Sequence, residues 1–423
     1  MAGTTLLLTA AAVLAFGLVS RRLDGSVLTP PLAFVLIGFL LGADGLNLLA
    51  IPPGHQAIHL LAEITLVLVL FADASRIDLR ALRRELGIPV RLLGVGLPLT
   101  IALGAVVAKL VLPELSVWEA ATLGAVLAPT DAALGQAVVS SPKVPLRIRQ
   151  ALNVESGLND GVALPVVMIF AALAGAGSDA RAPGEWLAFW GLQVTLGPAV
   201  GVAIAYAGGR LLDLALRRAW MNESFAQLSG LSLALLAFTV AEAIGGNGFI
   251  AAFVGGMVLG NTARESSAAI HEFLEAEGQL LMLLVFMVFG AMFAWPALQD
   301  ADGPTILYAA LSLTLIRMIP VALSLLGARL RLSTVLFLGW FGPRGLATVL
   351  FGLLILESCG AAHRAGLFTV AMVTVVFSVV AHGVTAGPGA ALYAQLVGGS
   401  DAGAAEREQV QGHPTRRSAD PDA

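Results

Sequence analysis

Apolar residues fall along this chain in long blocks of about 17–25, parted by short polar or Gly/Pro breaks, the pattern of helices that cross a bilayer. Thirteen blocks can be drawn, at approximately 4–20, 27–49, 56–72, 88–112, 117–139, 147–174, 185–209, 225–243, 246–261, 275–295, 304–327, 333–356 and 365–395. The least marked division is the one at Gly245-Gly246. The pattern therefore predicts an all-α polytopic membrane protein of about 13 transmembrane helices.

Composition sharpens that reading. Apolar residues make up 57% of the chain and charged ones 12%, against about 25% charged in an ordinary soluble domain. Mean hydropathy is +0.87, so lipid must cover much of the surface. A net charge of −4 gives no sign of a nucleic-acid partner, and the single cysteine, Cys359, excludes a disulfide framework or a Cys-based metal site.

Arg21 and Arg22 follow the first apolar block instead of preceding it, which favours a retained first span over a cleaved signal. With the N-terminus outside, 16 Lys and Arg residues fall in inward loops and 3 in outward ones. That bias satisfies the positive-inside rule and puts the C-terminus in the cytoplasm of a cell (inner) membrane protein. Residues 398–423 turn polar and are expected to form a disordered cytoplasmic tail.

Two spans resemble each other across the halves of the chain. The fifth holds Pro129-Thr130-Asp131 and the twelfth Gly342-Pro343-Arg344-Gly345. Proline removes an intrahelical hydrogen bond and crowds the preceding turn, so either helix can unwind there. Matching interruptions in two halves point to a transporter site, although proline kinks are also common in membrane helices.

Ionisable groups inside the apolar blocks narrow the function. They are Asp73, Asp131, Glu155, Asp160, Arg317 and Arg344. Each costs about 2.5–3.5 kcal/mol near a helix centre unless paired or hydrated. Four acids against two arginines imply structural pairs plus spare carboxylates. In Glu155-Ser156-Gly157-Leu158-Asn159-Asp160, helical spacing stacks Ser156 beneath Asp160. That strip offers hydroxyl and carboxylate oxygens to a hard cation, and Asp131 with Thr130 can complete the cage. Asp73 has a plainer alternative as an interfacial acid beside Arg76 or Arg80, and Glu155 reads better as an ion-pair partner than as a ligand. Glu63 and Glu242 have no assigned role, and Met282 to Phe289 reads as packing or lipid-facing surface.

The run Asn153-Val154-Glu155-Ser156-Gly157-Leu158-Asn159-Asp160-Gly161 closely resembles the sixth-helix signature of bacterial sodium/proton antiporters of the cation/proton antiporter superfamily, NhaP-like branch. Pro129-Thr130-Asp131 upstream, Arg317 ahead of Pro320, and Gly342-Pro343-Arg344-Gly345-Leu346 agree in order and spacing. Ala132 departs from the family's usual proline. The resemblance implies two inverted six-helix repeats with crossed broken helices 5 and 12, assembled as a homodimer. It implies dimerisation-domain helices 1–3 over residues 1–87 and core-domain helices 4–6 over 88–174. Linker helix 7 and dimerisation-domain helices 8–10 would cover 175–303, and core-domain helices 11–13 would cover 304–397. By the same match Asp160 is the shared ion and proton carboxylate. Asp131, Thr130 and Ser156 join or support the ion site, Asn159 fixes the local network, Glu155 pairs with Arg317, and Arg344 stabilises the crossing. Asp73 stands where some members place a further acidic ligand.

These readings converge on exchange of Na⁺ (or Li⁺ or K⁺) for H⁺ by alternating access, with no cofactor. Asn159 in place of a second Asp leaves one titrating carboxylate, hence an electroneutral 1:1 cycle. A K⁺/H⁺ exchanger of the same superfamily and a passive cation channel remain alternatives, though no TVGYG-type filter is present. An intramembrane enzyme is disfavoured: no HExxH helix occurs, the six histidines sit mostly near span ends or in loops, and Ser156 has no evident histidine base.

Overall fold

The computed structural model describes residues 2–23, 26–49, 56–75, 77, 87–131, 134–139, 141–175, 183–263, 267–358 and 364–398. Among these residues all regular structure is helical. Arg76, Arg80, Ala132, Cys359 and the expected tail beyond Gly398 lie outside them.

The helices follow the thirteen apolar blocks in order. They are α1 (Ala2–Leu23), α2 (Pro30–Leu41), α3 (Gln56–Ser75) and α4 (Gly87–Val111, with a π turn at Leu92–Gly96). Next comes α5 in two pieces (Val117–Val126 and Gln136–Val139), then α6 (Leu146–Gly175), α7 (Pro183–Arg217), α8 (Glu223–Ala243) and α9 (Gly248–Thr262). Helix α10 runs Ser267–Phe289 and continues through a π turn to Gln299, and α11 covers Gly303–Ser324. Helix α12 is again in two pieces (Leu332–Trp340 and Leu346–Ser358), and α13 is Arg364–Gly398. Eight of these are long and apolar enough to cross a membrane, and three shorter ones are equally apolar. The protein is a multi-pass membrane protein.

Local chemistry explains where the helices begin. Ser116 accepts from the Glu119 N–H while Glu119 accepts from the Ser116 N–H, a reciprocal cap at the start of α5. At the Gly245-Gly246 division Gly245 takes φ +81°, a left-handed turn that favours glycine. Asn247 then caps α9 through the Ile250 N–H, and Glu242 accepts from the Gly248 N–H at 2.7 Å. Glu242 is thus a helix cap, a role its isolated place in an apolar block does not reveal.

Packing sorts the helices into two groups. Helices α4–α6 pack with one another and then mainly with α11–α13, whereas α2, α3 and α7–α10 pack mainly with one another. Within the second group Gly256 and Gly260 of α9 bring it so close to α3 that an added methyl would collide with the Phe71 and Ser75 carbonyls. Between the groups, α6 meets α3 and α9, and the second piece of α12 meets α3 and α10. Met282, Phe286, Met287 and Phe289 are buried in that core, so this stretch is packing surface.

Three spans are interrupted among the described residues. Helices α5 and α12 both break at the proline motifs, leaving residues 128–131 and 341–345 without helical structure. Helix α11 is also interrupted, at Thr314 (φ −115°, ψ −99°), where no Gly or Pro announces it. Helix α7 continues to Arg217, past the expected end at 209, with the buried Asp213 beside Arg217.

Candidate ion site

The two breaks lie against each other. The Asp131 N–H donates to the Pro343 carbonyl at 2.7 Å, and the Leu346 N–H donates to Asp131 Oδ2 at 2.8 Å. One carboxylate oxygen therefore caps the second piece of α12, where the unsatisfied N–H groups and the helix dipole favour negative charge. Gly345 makes the approach possible, since a Cβ there would overlap Asp131 Oδ2.

Arg344 does the opposite job from the other break. It is fully buried, and its Nε donates to the Leu127 carbonyl at 2.7 Å, where the first piece of α5 ends. Its Nη1 donates to the Gly342 carbonyl, its Nη2 to the Ser312 carbonyl at 3.3 Å, and its backbone N–H to Ser378 Oγ at 2.7 Å. A cation thus sits where two helix pieces end in unpaired carbonyls, matching the negative end of each dipole.

Helix α6 supplies the remaining groups. Ser156 Oγ donates to the Thr130 carbonyl at 2.6 Å, and Asn159 Nδ2 donates to Thr130 Oγ1 at 2.7 Å. Ser156 and Asn159 therefore fasten the α5 break to α6; the serine hydroxyl turns to Thr130, not to Asp160 one turn on. Glu155 and Arg317 are each about 1% exposed and form a two-pronged ion pair, Nη1–Oε1 2.6 Å and Nη2–Oε2 2.8 Å.

Asp160 differs from the other carboxylates named above. Its Oδ1 is sealed from solvent and has no hydrogen-bond partner among the described residues. Asp131 and Asp73 lie near enough to act on it electrostatically. Asp73, on α3, faces α6 at Gly157, whose added Cβ would lie 3.9 Å from the Asp73 Cβ. A small cavity beside the breaks is lined by Thr130, Asp131, Gly135, Ser156, Phe341 and Pro343. Arg317 is held by Glu155, and Arg344 by carbonyls. Where α6 meets α3 and α9, Asp160 Oδ1 is thus left without a hydrogen-bond donor among the described residues. Hard oxygen donors with excess negative charge suit an alkali cation or a proton.

Residues 7–391 match the family described as sodium/hydrogen exchanger, transmembrane. The chain belongs to that family. It is 27% identical over 374 residues to the K⁺/H⁺ antiporter NhaP of Alkalimonas amylolytica, covering 88% of this chain and 63% of that one. It is also 27% identical over 358 residues to the K⁺/H⁺ antiporter NhaP2 of Shewanella oneidensis, covering 81% and 58%. The chain thus spans roughly three-fifths of the length of these curated relatives. In fold it is similar to the sodium proton antiporter MjNhaP1 of Methanocaldococcus jannaschii, with a TM-score of 0.75 at 20% identity over 94% of this chain and 98% of that one.

Within this exchanger-family chain the motif residues Thr130, Asp131, Glu155, Ser156, Asn159, Asp160, Arg317 and Arg344 come together around one crossing, with Asp73 at its edge. Sequence reasoning did not find Ser312, Ser378 or the carbonyls of Leu127 and Gly342, because a backbone acceptor leaves no residue-type signal. Nor did it single out His382, which is buried inside α13 instead of near a span end.

Proposed function

We propose that this protein exchanges a monovalent cation for protons, with Asp160 as the carboxylate on which the two compete. The observation that carries the reading is the buried, unpartnered Asp160 Oδ1 with Asp131 and Asp73 beside it. A carboxylate in that setting takes a proton or a cation, because either one neutralises it and binding one removes the charge that attracts the other. Asp131, Thr130, Ser156 and Asp73 contribute oxygens or hold them in place. Asn159, Glu155, Arg317 and Arg344 keep the framework in register. Because one carboxylate carries the competition, each turnover moves one cation against one proton and no net charge.

Alternating access follows from where the site sits. In this reading α4–α6 and α11–α13 are a core that moves against the other group, carrying Asp160 past α3 and α9. The exposed leucines of α1 (Leu6, Leu7, Leu14 and Leu18) suit a lipid-facing or dimer-facing helix, and the protein acts as a homodimer with its N-terminus outside and its C-terminus cytoplasmic. Na⁺ is the first candidate cargo. K⁺ is the second, favoured by the naming of the similar K⁺/H⁺ antiporters of A. amylolytica and S. oneidensis.

Reconstituted vesicles carrying a pH-sensitive dye test this directly. Na⁺, Li⁺ and K⁺ are added in turn between pH 6 and 9, with and without a voltage clamp. Dye response to at least one cation, unaffected by the clamp and abolished by Asp160→Asn, is the expected result. Acidification should raise the apparent KM for the cation and leave the maximal rate unchanged, the signature of competition. Exchange retained by Asp160→Asn, or a large voltage-driven current, would refute the reading.

A further inference from the structure

The crossing is braced from a side that none of the motif residues occupies. His382 lies on α13, about 1% exposed, and its ring stands beside Trp340, with centroids 5.2 Å apart. His382 Nε2 lies 2.9 Å from the carbonyl of Trp340, the last residue of the first piece of α12. The same carbonyl accepts the Gly342 N–H at 2.8 Å, from inside the break. On the other side of the ring, Nδ1 lies 3.3 Å from Ser378 Oγ and 2.9 Å from the Ser378 carbonyl. Ser378 Oγ in turn accepts the Arg344 backbone N–H at 2.7 Å.

A proton on Nε2 links the ring to the α12 break. The Ser378 carbonyl belongs to the interior of α13, where a helical N–H already serves it. The Trp340 carbonyl ends a helix piece, where among the described residues only the Gly342 backbone N–H serves it from outside the helix, and its second lone pair faces His382 Nε2. With a proton on Nε2 the ring donates to Trp340, while Nδ1 faces the hydroxyl and carbonyl of Ser378. Ser378 is left with a lone pair for the Arg344 N–H. The ring thus ties both rims of the α12 break, Trp340 before it and Arg344 within it, to the rigid helix α13. Between those rims lies Pro343, whose carbonyl holds the Asp131 N–H, and just beyond them Leu346, whose N–H holds the Asp131 carboxylate.

We infer that His382 is a positioning residue for cation binding: it sets the α12 break against Asp131 and so fixes the ion site, without touching the ion. This rests on the exchange reading above. Leucine at 382 fills similar space but cannot donate, so the break should shift and cation affinity should fall. Glutamine can return an N–H toward Trp340 and should restore most of the affinity.

The test measures cation KM and maximal rate in vesicles for wild type, His382→Leu and His382→Gln, normalised to folded protein. A parallel readout is the cation concentration giving half-maximal thermal stabilisation in detergent. The expected result is a KM raised about ten-fold in His382→Leu, as loss of a buried hydrogen bond implies, with recovery to within about three-fold in His382→Gln. Thr385→Val, which removes the acceptor for the Trp340 indole N–H and a bond within α13 to the Ala381 carbonyl, should leave KM unchanged. If His382→Leu cannot be purified, Ser378→Ala takes its place and should raise KM several-fold. An unchanged KM with only rate or stability reduced, or a glutamine variant as impaired as leucine, overturns the inference while the exchange reading stands. Absence of exchange by the wild-type protein with every cation overturns both.

Discussion

The two interrupted helices carry similar sequence signals and do unlike work. Each pairs proline with a charged residue in an apolar span, yet the α5 break presents oxygens while the α12 break presents a buried cation and two glycines. At α5, Thr130 and Asp131 face the cavity, Thr130 held from α6 by Ser156 and Asn159 and Asp131 held from α12 by Pro343 and Leu346. At α12, Arg344 gathers carbonyls from α5, α11 and its own break. The difference teaches that a pair of broken helices can be chemically asymmetric, one break offering oxygens and the other a buried guanidinium, which under the proposed function makes one the binding break and the other the brace.

That contrast is most sharply tested at Arg344. Arg344→Leu leaves three buried carbonyls without their donor, so the loss should be mainly one of stability, on the order of 5 kcal/mol. Thermal unfolding and yield in detergent measure it. A protein of normal stability that lacked exchange would instead make Arg344 part of the binding chemistry and erase the distinction between the breaks. Next in size is Glu155→Leu, which strands a buried arginine and should cost about 3–5 kcal/mol. The double variant Glu155→Leu, Arg317→Met should recover much of that, because the pair is removed together. If the double variant is as unstable as the single one, the pair's effect lies in packing and not in charge.

Much of this was readable from residue types because charges in an apolar block have few explanations. Asp160, Glu155, Arg317 and Arg344 announce themselves that way, and the thirteen apolar blocks each coincide with a helix, continuous or in pieces, among the described residues. What could not be read is what depends on backbone atoms. Asp131 looks like a pure ligand in sequence, but one of its oxygens is taken by the Leu346 N–H. The helical stacking of Ser156 beneath Asp160 is geometrically sound, yet the hydroxyl turns to the Thr130 carbonyl because α5 has unwound beside it. The interruption of α11 at Thr314 has no local signal at all, so it must be imposed by packing.

Gly345→Ala probes the contact between the breaks themselves. The new methyl would occupy the place of Asp131 Oδ2, pushing the carboxylate off the helix end it caps. Loss of that cap is worth about 1–2 kcal/mol, so cation KM should rise roughly ten-fold with a stability loss well below that of Arg344→Leu. Equal damage to stability and no change in KM would mean that Asp131 is structural, and the α5 break would lose its claim to be the binding one.

The finest comparison sets two hydroxyls against each other, one at each break. Ser156 Oγ reaches the Thr130 carbonyl at 2.6 Å, whereas Thr348 Oγ1 lies 3.4 Å from the Val126 carbonyl. The first is a well-formed bond to a carbonyl released from helix by the α5 break, so Ser156→Ala leaves a buried acceptor unmatched and should cost about 1 kcal/mol. The second is long for an O–H···O bond, and Thr348→Val keeps the side chain's shape, so it should change stability by only a few tenths of a kcal/mol. Because Ser156 also borders the cavity, its loss should raise cation KM several-fold, while Thr348→Val should leave KM where it is. A KM shift in Thr348→Val equal to that in Ser156→Ala would mean that the two breaks contribute alike to cation binding, and the asymmetry drawn here would be wrong.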